Sequence, residues 1–197
     1  AIRGHKQLRE TCMPVTPSSV CVFGGSRKGT NPAYLQAARE MGKVLAANHW
    51  RLVYGAGDVG LMGEVANATQ KAGGETFGVI PQHLLDWEVG KRDLTQFIVT
   101  ENMHERKKVM YMNSDAIVVL PGGAGSLDEY FEVVTWRQLG LHNKPILLLN
   151  TEGYWDKLTQ LVDHVIDEGF AEASFRDFTR VCQTPTDAEA ALRAALS

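Results

Sequence analysis

The most constraining feature of the chain is an alternation that recurs from Ser19 onward. Short, continuously apolar runs are each followed by a longer stretch in which apolar residues return every three or four positions. The run Ser19–Phe23 is dense in β-branched and aromatic residues and stops at Gly24-Gly25, which reads as a buried strand. After Pro32, suited to a first helical turn, Leu35, Ala38, Met41, Gly42 and Leu45 share one helical face. Further strands are expected at Arg51–Tyr54, Glu75–Ile80 (closed by Pro81), Gln96–Thr100, Ala116–Leu120, Pro145–Leu149 and, weakly, Thr179–Cys182. Helices are expected at Gly60–Ala72, Met103–Asn113, Ser126–Leu139, Tyr154–Glu168 and Thr186–Leu196. The Tyr154 helix carries Leu158, Leu161, Val162 and Val165 on one face, and the last helix has a capped start. The stretch from Pro81 to Thr95 has no clean period and mixes Trp87 with charges, so it reads as a long loop placed to cover a site.

Strands without polar alternation are buried on both faces. The expected class is therefore α/β, a single Rossmann-like doubly wound parallel sheet in a three-layer α/β/α arrangement. Ligands in such folds sit at the carboxyl ends of the strands. With 197 residues the chain suits one domain, here 19–197, preceded by an arm over 1–18. A formal net charge of −3 argues against a nucleic-acid or anionic-membrane partner, while leaving room for a small anionic ligand. Cys12, Cys21 and Cys182 form no C-x-x-C pair or disulfide framework, which fits a reducing cytoplasm. No apolar run approaches the roughly 18 residues of a membrane span. Ala1 to Pro17 is charged and lacks the apolar core of a signal peptide, so a mobile arm or an added helix is expected.

Glycine marks the ends of several strands: Gly24-Gly25-Ser26, Gly55-Ala56-Gly57-Asp58-Val59-Gly60, and Pro121-Gly122-Gly123-Ala124-Gly125-Ser126. Such loops let backbone N–H groups approach an anion, although tight turns use glycine for steric reasons alone. Gly55 to Gly60 formally satisfies G-x-G-x-x-G. It follows the second strand rather than the first, and the third strand ends in Pro81-Gln82 with no acidic residue to hold a ribose, so NAD or FAD is disfavoured. In the Pro121 loop, Glu129 lies three residues past Ser126, in the first turn of the next helix. Asp128 and Glu129 either complement the helix dipole or face the ligand edge. Met103-His104-Glu105-Arg106-Lys107-Lys108 opens another helix, where the dipole disfavours cations. Arg106 and Lys107 there point to an anionic ligand or to a carboxylate such as Glu129; His104 is either a base or a surface residue.

Together these residues resemble the LOG ("lonely guy") family of cytokinin-activating phosphoribohydrolases, whose members are often labelled lysine decarboxylases. Pro121 to Glu129 fits the family pattern P-G-G-x-G-T-x-x-E with Ser126 in the Thr place, and Met103 to Lys107 fits M-H-x-R-K. The resemblance runs from Ser19 to Gly169 and includes Val53–Gly63, Gly78–Pro81, Leu139–Pro145 and Leu148–Trp155. It implies hydrolysis of adenosine monophosphate, or of N6-modified forms, to free base and ribose 5-phosphate, without metal or organic cofactor, by at least a dimer. It also implies Glu129 and Arg106 as catalytic residues. Substrate contacts would come from Gly25, Ser26, Gly57, Glu88, Met103, Lys107, Gly122, Gly123, Ala124, Gly125, Ser126 and Thr135. Gly55-Ala56-Gly57 and Gly24-Gly25-Ser26 depart from the family's usual three glycines and Cys-Gly-Ser, which bears on base preference.

Glycosidic cleavage passes through an oxocarbenium-like state, so a carboxylate near C1′ would lower the barrier. Glu129 is the candidate. Arg106 does not release its proton near neutral pH and is confined to electrostatic or positional work. The competing reading is a non-catalytic nucleotide or molybdenum-cofactor carrier of the same fold. A dehydrogenase or a pyridoxal-dependent lysine decarboxylase fits less well.

Overall fold

The computed structural model describes residues 17–85 and 93–197. Nearly all of the proposed arm, together with Trp87 and Glu88, lies outside the described residues. The described strands are β1 (Ser19–Phe23), β2 (Arg51–Tyr54), β3 (Thr76–Pro81), β4 (Gln96–Thr100), β5 (Ala116–Val119), β6 (Ile146–Leu149) and β7 (Arg180–Cys182). They form one sheet of order β4-β3-β2-β1-β5-β6-β7, and every pairing is parallel. The helices are α1 (Pro32–Ala47), α2 (Gly60–Lys71), α3 (Gln82–Leu85), α4 (Met103–Met112), α5 (Ala124–Gln138), α6 (Asp156–Asp167) and α7 (Pro185–Leu196).

Strand side chains alternate between two apolar layers. Val20, Val22, Leu52, Tyr54, Val118 and Leu147 pack against α1, α2 and α7. Cys21, Phe23, Val53, Val79, Val119 and Leu148 pack against Met110 of α4, Tyr130, Val133 and Val134 of α5, and Leu158 of α6. This is the expected doubly wound three-layer arrangement. The chain builds outward from β1 to β4 and then crosses back to β5 beside β1. The crevice between the ends of β1 and β5 is therefore the switch point where such folds bind ligands.

Several boundaries differ from expectation. Pro81 is the last residue of β3, paired with Thr100, rather than the residue that stops it. Part of the expected loop after it is the short helix α3. Helix α5 begins at Ala124, two positions before Ser126, because the Gly-rich stretch continues directly into helix. Helix α6 begins at Asp156, after a 3₁₀ turn over Thr151–Gly153, so Tyr154 belongs to the connection and not to the helix. Of the expected α6 face only Leu158 is buried; Leu161 is 48% exposed. A 3₁₀ stretch, Ala173–Phe178, precedes β7 without a sequence period to announce it. Helix α7 has a complete capping box between Thr184 and Asp187. Among the described residues, no helix is long and apolar enough to cross a membrane.

Candidate active site

The glycine loops meet at the switch point and hydrogen-bond to one another. Gly25 N–H donates to the Pro121 carbonyl at 3.0 Å, which joins the β1 and β5 ends. The Gly25 carbonyl in turn accepts from Leu61 N–H at 2.9 Å, in the first turn of α2. A Cβ on Gly25 would lie 3.3 Å from both the Gly122 Cα and the Pro121 carbonyl oxygen, so any larger residue would press the two loops apart. Gly122 is more constrained, since a Cβ there would lie 2.7 Å from the Ser126 Cβ and 2.9 Å from the Gly25 nitrogen.

A cavity of about 510 Å³ opens over this junction. Its wall includes Gly25, Ser26, Met103, Arg106, Gly122, Gly123, Ala124, Gly125, Ser126 and Glu129, all of them expected site residues. Gly57, Lys107 and Thr135 are not on that wall. Gly57 is buried in the β2–α2 connection, and Thr135 is exposed on α5 more than two turns beyond Ser126. Glu88 lies outside the described residues. His104 is exposed and away from the cavity. The wall also contains residues the sequence did not single out: Arg27, Lys28, Tyr34, Leu84 and Tyr154.

Helix α5 aims its N-terminus at the cavity. Its N-cap, Gly123, has extended backbone (φ −95°, ψ −150°) and no side chain caps the helix. The first N–H groups of a helix lack intrahelical partners, so this end offers donors and a partial positive charge to an anion. Ser126, 3% exposed, adds a hydroxyl inside the same turn.

Glu129 follows one turn later, 9% exposed, on the cavity wall. Burial pushes its carboxyl from 4.5 up to about 7; the positive charge of Arg106 opposes the shift and Asp128 adds to it. A carboxyl in that range is split between acid and base forms near neutral pH, as proton-transfer groups require.

Arg106, 7% exposed, reaches across the floor of the site. Its Nη2 donates to the Gly55 carbonyl at 2.8 Å and its Nε to the Val79 carbonyl at 3.1 Å. Met103 Sδ lies 3.7 Å from Nη1. The cation near the start of α4 is thus held by the Gly55 carbonyl just past β2 and the Val79 carbonyl within β3, and its charge acts on Glu129 through space. The start of α4 is itself capped by Asn102, which accepts from Glu105 N–H.

Lys107 turns the other way and pairs at 3.0 Å with both Asp128 and Glu132, bracing α4 against α5. Its ammonium is thus directed to carboxylates of α5. Asp128 lies on the cavity wall and Lys107 does not. Among the described residues, no group of three His, Cys, Asp or Glu side chains is placed to hold a metal ion.

A doubly wound sheet, an uncapped helix end and a buried carboxyl in the neutral range, all on one switch-point cavity, define a Rossmann-like protein built for a small anionic ligand. Residues 62–192 match the family model described as "Possible lysine decarboxylase". A cytokinin riboside 5′-monophosphate phosphoribohydrolase of Rhodococcoides fascians is 44% identical over 179 residues, 90% of each chain. A probable enzyme of the same name from Oryza sativa subsp. japonica is 44% identical over 159 residues, 81% of this chain and 69% of that one. The chain belongs to this family, the LOG family. Among solved structures, the molybdenum cofactor binding protein of Rippkaea orientalis has a TM-score of 0.73 at 21% identity, covering 92% of this chain and 99% of its own. At that identity the likeness is one of fold.

Proposed function

We propose that this protein hydrolyses the N-glycosidic bond of an adenosine 5′-monophosphate, plain or N6-substituted, releasing the free base and ribose 5-phosphate. The observation that carries the reading is Glu129. It is a buried carboxyl poised at about 7, one turn beyond the open N-terminus of α5. The names of the relatives at 44% identity agree with it.

In this reading the 5′-phosphate rests on the N–H groups of Gly123, Ala124, Gly125 and Ser126 and on the Ser126 hydroxyl. The sugar then extends toward Glu129. As the C1′–N9 bond breaks, its electron pair leaves with the base and positive charge develops at C1′ and the ring oxygen. Ionised Glu129 opposes that charge and takes a proton from the attacking water, whose oxygen forms the new bond to C1′. The base leaves as a neutral purine with a proton from solvent, and Glu129 returns to solvent the one it took from water. Arg106, fixed by the Gly55 and Val79 carbonyls, keeps Glu129 partly ionised and holds the floor in place.

Gly25 and Met103 complete the wall around the nucleotide. Glu88, Gly57 and Thr135 enter this proposal only by the family resemblance. A homodimer in the cytoplasm, acting on a nucleotide and on neither nucleic acid nor membrane, completes the reading, with 19–197 as its catalytic domain.

The test is chromatography of the protein incubated with AMP and with isopentenyladenosine monophosphate, beside Glu129→Gln. Free base from the wild type and at least a hundredfold less from the variant is the expected result. Nucleotide bound without any base released would favour a carrier instead.

A further inference from the structure

One cavity residue to which the sequence assigned no role is held by a constrained piece of backbone. After β6 the chain passes through Asn150 and the 3₁₀ turn, where Glu152 (φ 54°) and Gly153 (φ 70°) are both left-handed. Glu152 adopts there a conformation that non-glycine residues rarely take. The turn is pinned just past Tyr154. Asn150 Oδ1 accepts from Trp155 N–H at 2.7 Å, and Asn150 Nδ2 donates to Asp156 at 2.8 Å. The Trp155 ring is buried, its Nε1 donating to the Val119 carbonyl at 3.3 Å.

What this turn presents is Tyr154. Its ring meets Tyr34 edge-on, with centroids 5.3 Å apart, and both tyrosines line the cavity. Its hydroxyl donates to the Gly122 carbonyl at 2.6 Å. Gly122 immediately precedes the N-cap of α5. Across a planar trans peptide the carbonyl and the next N–H point in opposite directions. Holding the Gly122 carbonyl toward Tyr154 therefore fixes the direction of the Gly123 N–H. The donated hydrogen bond also polarises that peptide, which strengthens its N–H as a donor.

We infer that Tyr154 is the positioning residue of the phosphate cradle: it locks the Gly122–Gly123 peptide so that the start of α5 is preset for a phosphate monoester. This rests on the proposal that α5 receives the 5′-phosphate. Tyr154→Phe keeps the ring against Tyr34 and removes only the hydroxyl.

The experiment measures AMP and adenosine hydrolysis, ribose 5-phosphate binding by calorimetry, and the melting temperature of both proteins. The expected result is a KM for AMP and a Kd for ribose 5-phosphate each raised about tenfold, the scale of one lost hydrogen bond. The kcat for AMP and any rate on adenosine should stay within about twofold, and the melting temperature within about a degree or two. Unchanged binding of ribose 5-phosphate would overturn the inference. So would a fall of kcat, adenosine rate and melting temperature together, which is what a merely structural tyrosine would produce. If the wild type released no base, the hydrolase reading would fail, yet ribose 5-phosphate binding would still decide the role of Tyr154.

Discussion

Two glycine-rich loops of this protein look alike in sequence and differ in what their backbone does. Both follow a strand and open a helix, and neither α2 nor α5 has a side-chain cap. At α2 the first turn is already engaged, because Leu61 N–H donates to the Gly25 carbonyl. Its glycines answer to packing. A Cβ on Gly55 would strike the Arg106 guanidinium, and Gly60, at φ +67°, would strike the Ser26–Arg27 backbone. At α5 the same kind of helix end faces a cavity. A glycine motif can serve an anion only where its N–H groups are not already engaged by the protein.

The largest expected effect falls on the α5 side. Glu129→Gln should lower kcat by on the order of 10² or more. In the wild type kcat should rise with pH through about 7 and level off above it, as Glu129 ionises. Stability should run the opposite way. The folded carboxyl keeps its proton up to about 7 while the unfolded one releases it near 4.5, so stability is lost as pH rises between those values. Glu129→Gln should therefore be more stable than wild type at pH 8, by at most about 3.4 kcal/mol, and no more stable at pH 4. Scanning calorimetry at the two pH values checks the sign.

Next is a direct exchange of ligand for cap. Gly123 has an extended backbone, and a Cβ there would meet nothing within 4 Å. Gly123→Asp should place a carboxylate where the phosphate sits, raising KM for AMP on the order of 10²-fold while stabilising the helix by about 0.5–1 kcal/mol. A smaller loss is expected from Gly55→Ala, about tenfold in kcat, because the new methyl displaces Arg106 from the Gly55 carbonyl. The smallest effect belongs to Val59→Asp at the N-cap of α2. Val59 is 57% exposed and off the cavity wall, so KM should change less than twofold. A large rise in KM for Val59→Asp would break the comparison.

The same contrast explains how far the sequence could be read. Unbroken apolar runs such as Ser19–Phe23 and Ala116–Val119 can only be strands buried on both faces, so the sheet and its ligand-binding edge followed from them. Glu129 could be singled out because it opens a helix after a glycine loop, and Arg106 because it is a cation near a helix start, where the dipole disfavours one. What hydrogen-bond partner a group finds was not written in its neighbours. Gly55–Gly60 matched a dinucleotide pattern, yet its helix end is taken by Gly25, a residue 35 or so positions away in the chain and adjacent only through β1–β2 pairing. Lys107 went to Asp128 and Glu132 for the same reason, since α4 and α5 meet only in the folded protein. Tyr154 read as the first residue of a helix, because nothing local signals the left-handed Glu152 that turns it toward Gly122.

The most direct test of the account is a crystal structure of Glu129→Gln with AMP bound. The phosphate oxygens should lie about 2.7–3.2 Å from N–H groups between Gly123 and Ser126, with the glycosidic bond beside residue 129. A phosphate seated on Gly55–Gly60, or a nucleotide whose C1′ lies away from residue 129, would contradict it.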